Sequence, residues 1–167
     1  MATYDTTIPS VPRLSAWSAR IRVLPVQVVV YWILRVAVAG EFIGHGAAGI
    51  GGNAAWLPYF TVVGIGHDAA YRLMPLVGTL DIALGILTLF LPLRIVLLYY
   101  TIWGFWTALL RPLAGEGIWE FVERAYNYGV PLAFLVLGGW SASPRAWFLE
   151  RVRPRWDDRT AHRLKWI

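Results

Sequence analysis

The chain has 167 residues, 57% hydrophobic and 15% charged, and its mean hydropathy of +0.53 lies above that of an ordinary soluble domain. It has no cysteine, which excludes disulfides, Fe–S clusters, c-type haem attachment, thiolate zinc sites and dithiol redox relays. The net charge of +5 gathers at the two ends, Arg13, Arg20 and Arg22 before the first apolar run and Arg145, Arg151, Arg153, Arg155, Arg159, Arg163 and Lys165 after the last. That is the placement of membrane orientation signals, not of a nucleic-acid surface.

Residues 1–22 form a lead-in whose Trp17, Arg20 and Arg22 suit the membrane interface. Four apolar runs follow over 23–140, at approximately 23–45, 69–91, 94–112 and 118–139. Each is close to the roughly 20 helical residues that cross a hydrocarbon core. Ala37-x-Ala39 imitates a signal-peptide cleavage site, but Arg35 stands where such a site wants small uncharged residues, so no cleavage is expected. The first connection, "GAAGIGGNAAWLPYFTVVGIGHD", has no Lys or Arg, and its Trp56, Tyr59 and Phe60 predict an interfacial segment, a dip into the membrane or a plain loop. "LPLR" at 91–94 and "PLAGEG" at 112–117 are Pro-marked turns, which makes the last three helices antiparallel neighbours. Residues 141–167 form a basic tail, either resting on the inner leaflet or solvated.

The expected fold is all-α: an integral membrane four-helix bundle with an interfacial segment between spans 1 and 2. An even number of spans places both termini on one side. The basic ends and Arg94 make that side cytoplasmic, in a cell inner membrane. "GHGAAGIGG" follows a span instead of a buried strand, so it is no dinucleotide fingerprint.

Ionisable groups inside spans are costly and seldom face lipid. Here they are Arg35, Glu41 and His45 in the first run, Asp81 in the second, Arg111 ending the third, and Glu120, Glu123 and Arg124 opening the fourth. At about 1.5 Å per residue, Arg35 and Asp81 lie about 18 Å from their entry points and Asn127 about 14 Å from its own, which assigns the whole set to the outer half of the bundle. Glu120, Glu123, Arg124, Asn127 and Pro131 recur at three- and four-residue steps, as do Trp103, Trp106, Thr107 and Arg111, while Glu41 and His45 are one turn apart. Each stripe can face the bundle axis.

Three arginines then oppose four carboxylates, and one proton, on His45 or a carboxyl, balances them. Such a cluster either fixes helix register or walls a polar pocket. Glu120 and Arg124 alone would make an ordinary intrahelical pair. Trp103, Trp106 and Thr107 line either a flat ring-bearing ligand or the packed interior. Haem on His45 or His67 is not expected, since a lone His at a helix end is ordinarily hydrogen-bonded, and no metal site is expected.

The runs "LRVAVAGEFIGHG" and "GTLDIALGILTLFLPLR", joined by short turns, resemble the DoxX-like family of small four-helix membrane proteins over roughly residues 25–140. "RPLAGEGIWEFVERAYNYGVP" departs from that pattern and marks a distinct branch. The resemblance implies an accessory or structural subunit beside a quinone-linked membrane redox complex, such as a terminal quinol oxidase or a thiosulfate:quinone oxidoreductase. It carries no catalytic residue onto Arg35 or His45. The alternative is a protein that binds a quinone, isoprenoid or similar lipid in the outer-half pocket, with Glu41, His45 or Glu123 moving a proton. Expected partners are the lipid bilayer and other membrane subunits or further copies of the chain, and no nucleic acid.

Overall fold

A computed structural model describes residues 26–153; the lead-in at 1–22, the start of the first run and the tail beyond 153 lie outside the described residues. Among the described residues every regular element is helical: α1 (Val26–Ile50), a 3-10 turn (Ala54–Trp56), α2 (Leu57–Thr61), α3 (His67–Phe90), α4 (Arg94–Leu113), α5 (Ile118–Glu123), α6 (Ala125–Leu137) and α7 (Pro144–Leu149). Two of them, α1 and α3, are long and apolar enough to cross a membrane. Large apolar side chains point outward from each of the four principal helices, among them Val36, Leu76, Ile102 and Val136, all more than half exposed.

The helices form two tight antiparallel pairs, α1 with α3 and α4 with α6, joined chiefly through α1 against α6. Glycine sets the first pair. A methyl group on Gly46 would overlap the Gly78 carbonyl, and one on Gly78 would overlap that of Gly46, so the two backbones touch. Gly85 in turn lies close to the Ile43 side chain and the Ala39 carbonyl. This contact corrects the expected end of the first span near His45. Although "GAAGI" reads as a loop, Gly46 and Gly49 fit against α3 and hold the helix to Ile50, tertiary packing overriding weak local propensity. In the second pair, Gly104 admits the backbone of Asn127. The core between the pairs is apolar, with Phe42 stacked on Tyr100 beside Val38, Leu97 and Phe134.

The fourth run is not one helix. It breaks at Arg124, which leaves α5 and α6 as separate pieces. The chain after α6 is also more than a basic arm: through Val152 it returns to the bundle, where that side chain is fully buried and its N–H donates to the Pro92 carbonyl at 2.7 Å. Arg94 fastens this return. Its guanidinium, buried, donates to the carbonyls of Gly138 (3.2 Å), Gly139 (3.3 Å) and Ala146 (3.2 Å). Read as an orientation marker, Arg94 is a structural clamp as well.

Candidate functional site

Because α3 does not pack closely on α4, a wedge opens between the two helix pairs, and α2 bridges it by touching both. Beneath α2 lies a cavity of about 670 Å³, within the size range of small-molecule sites. Leu73, Met74 and Val77 of α3 make its apolar wall; Trp103, Trp106, Thr107 and Arg111 of α4 face them; Glu41 and His45 come from α1, and Arg124 and Asn127 from the α5–α6 break. Trp56, Tyr59 and Phe60 form the cover.

The cover is held at two points. Trp56 stacks on the His45 ring with centroids 4.5 Å apart. Tyr59 donates its hydroxyl proton to Glu116 and accepts from Arg111 Nη1 at 2.7 Å, while Arg111 Nη1 also lies 3.2 Å from Glu116 Oε2 and its guanidinium stands 4.8 Å over the Tyr59 ring. The Tyr59 hydrogen bond and the Arg111 guanidinium hold the Glu116 carboxyl below its ordinary range, despite some loss of hydration. Burial, followed by the same hydrogen bond, pushes the Tyr59 hydroxyl up, so it stays a neutral donor. Neither Tyr59 nor Glu116 stood out in the sequence as a partner of Arg111. The available signal was a Glu five residues beyond an Arg across a Gly turn, and Gly115, with φ +96°, makes that turn.

The charged residues fall into separate groups instead of one network. Arg124 Nη1 meets the Glu120 carboxylate at 2.7 Å and its carbonyl at 2.9 Å, with Glu123, largely exposed, at 3.9 Å. Asp81, wholly buried, faces His45 at 3.5 Å (Oδ2 to Nδ1). Glu41 lines the cavity and has no ion-pair partner among the described residues.

Arg35 corrects the expected charge balance. It is buried at the other end of α3, donating to the carbonyls of Thr88 (3.1 Å) and Leu89 and to the Tyr31 hydroxyl (3.2 Å), with its guanidinium 4.6 Å over the Trp32 ring. The free carbonyls and negative dipole at a helix C-terminus satisfy an arginine without any carboxylate.

The cavity thus brings together Glu41, His45, Trp103, Trp106, Thr107, Arg111, Arg124 and Asn127; Asp81 sits behind His45, Glu120 and Glu123 flank Arg124, and Arg35 is elsewhere. His67 lies in an exposed contact with Asp68 and edge-on to Tyr71, and no group of three or more His, Asp or Glu that could hold a metal occurs among the described residues. Against models of known protein families, curated proteins and solved structures, the chain has no match.

Proposed function

We propose that this protein is a small four-span integral membrane bundle, of the DoxX-like kind, that binds an amphipathic lipid of the quinone or isoprenoid class in the covered cavity. The observation that carries this reading is the cavity itself: about 670 Å³ with an apolar and aromatic lining and polar groups gathered on the α1, α4 and α6 side. A bundle needing only to hold its register would close such a space, since each unfilled volume forfeits packing energy. The outward apolar side chains on all four principal helices support placement in lipid. With α4 crossing outward and α5–α6 returning, the cavity lies in the outer half and both ends are cytoplasmic.

Purification in mild detergent, solvent extraction and mass spectrometry test the proposal. Wild-type protein is expected to retain a quinone or prenyl lipid near one per chain, whereas Val77→Trp, which fills the cavity, loses it at unchanged helicity. Identical lipid content in both would refute the binding role. The second reading, an accessory subunit beside a quinone-linked complex, draws on the exposed Trp119 and Trp140 as partner contacts. Its mark in the same preparation is other chains in fixed ratio.

A further inference from the structure

Beside the main cavity lies a recess of about 10 Å³, walled by Glu41, Phe42, His45, Trp103, Gly104, Thr107 and Asn127. Five of these seven, all but Phe42 and Gly104, also line the large cavity, so the recess adjoins it. Its volume accommodates about one water-sized group. Two polar atoms of its lining residues, Trp103 Nε1 and Asn127 Oδ1, are shielded from solvent without a partner in the protein. One is an obligate donor and the other an acceptor. Buried groups of this kind are nearly always satisfied, and leaving them bare is costly.

The neighbouring groups narrow the chemistry. The Thr107 hydroxyl donates to the Gly104 carbonyl at 3.2 Å, so its proton is already engaged. Arg111 and Arg124 are engaged by Glu116 and Glu120, while the Glu41 carboxyl beside the recess has no ion-pair partner among the described residues. An anionic head group would meet that carboxyl without a free arginine to offset it. Gly104 gives the recess its shape, because the α6 backbone at Asn127 comes against it.

Resting on the reading of the cavity as a lipid site, we propose that this recess seats one uncharged hydroxyl group of the ligand, accepting from Trp103 Nε1 and donating to Asn127 Oδ1. Within the proposed quinone and isoprenoid class the site is therefore selective for the hydroxyl-headed members, phenolic or hydroquinone-like on one side and long-chain alcohols on the other, over the oxidised, carbonyl-headed quinone and over ether or phosphate heads. A carbonyl satisfies only the tryptophan. A hydroxyl satisfies both.

The test compares near-isosteric probes on the full chain in detergent by native mass spectrometry: 4-nonylphenol against 1-fluoro-4-nonylbenzene, and 1-dodecanol against 1-fluorododecane. Fluorine fits where the hydroxyl fits but donates nothing. Expected is a preference of at least about tenfold for the hydroxyl member of a pair, within the range that leaving a buried polar group unpaired costs. Preference in the aromatic pair identifies a phenol-type ligand, and preference in the other an open-chain alcohol. Trp103→Phe and Asn127→Leu should each erase the preference by weakening the hydroxyl probe while leaving the fluorinated one unchanged. Equal binding within both pairs overturns the hydroxyl assignment and leaves the cavity as an apolar site. Failure of all four probes to bind removes the lipid site itself, and the recess assignment with it.

Discussion

Asp81 and His45 form a one-sided pair: Oδ2 lies 3.5 Å from Nδ1, yet the aspartate side chain is 0% exposed and the histidine 36%. Both Asp81 oxygens lack hydrogen bonds within the protein. His45 is therefore the polar neighbour of a carboxyl group that the surrounding helices have removed from solvent. Removing His45 alone leaves the carboxyl buried and unassisted, while removing both partners does not. His45→Ala should lower stability by about 1–3 kcal/mol, and Asp81→Asn added to it should restore much of the loss. Thermal unfolding of the single and double variants in detergent measures this, and additive losses would show that the pair is not coupled.

The glycine contact between α1 and α3 yields a second prediction, with an internal control. Gly46→Val places a branched side chain against the Gly78 carbonyl and Ile82, and should cost about 1–3 kcal/mol or more through overpacking. Gly40→Ala, on the same helix with nothing within 4 Å of the added methyl, should be neutral or gain up to about 1 kcal/mol from helix propensity. Equal unfolding temperatures for both variants would contradict the close approach.

The Tyr59–Glu116–Arg111 latch carries a pH dependence of determined sign. The Glu116 carboxyl titrates lower in the folded protein than in the unfolded chain. Its contribution is therefore complete above the unfolded carboxylate value of about 4.3, and it is lost as pH falls through the lower folded value. Wild type should exceed Glu116→Gln in unfolding temperature near neutrality, with the gap closing below about pH 4. A gap that stays constant as pH falls, or widens on acidification, would assign the difference to another cause.

Arg94 offers a fourth test. Arg94→Met retains the bulk of the stem but strands three carbonyls on the segment that returns to the bundle. A loss of at least about 2 kcal/mol is expected, from hydrogen bonds to a charged donor, together with faster proteolysis between Gly138 and Ser143. Arg94→Lys should rescue only partly, because one ammonium cannot reproduce the guanidinium fork. Unaltered cleavage in Arg94→Met would mean that Val152 holds the segment alone.

Helix positions were largely legible because apolar length and Pro-marked turns are local signals. The predicted run at 94–112 matches α4 to within a residue, and 69–91 differs from α3 by two residues at its start and one at its end. The stripe logic identified Glu41, His45, Trp103, Thr107 and Asn127, since one-turn spacing fixes a shared helix face whatever lies opposite. Which groups pair across helices is not a local property. Arg35 reads as a partner for carboxylates because charge counting cannot see the open carbonyls of a neighbouring helix end. The aromatic character of Tyr59 leaves an interfacial segment, a dip into the membrane and a plain loop equally open, and gives no sign that its hydroxyl meets a glutamate 57 positions away through folding of the connection. The break at Arg124 was also hidden, as nothing in "FVERAY" lacks helix propensity.

The touching backbones of Gly46 and Gly78 bear on the route that the proposed lipid would take. With no side chains between them, α1 and α3 present a sealed plank, and parting them would breach their densest contact. Along the cavity the seam between α3 and α4 is bordered by the side chains of Leu73, Val77, Trp103 and Trp106, and deeper in it is tied by the Tyr100 hydroxyl, which donates to the Asp81 carbonyl at 3.2 Å. For a lipid bound as proposed, a tail lying along that seam would remain in the acyl layer while its polar end stays under Trp56 and Tyr59, so its exchange with the bilayer would run sideways, without passage through water.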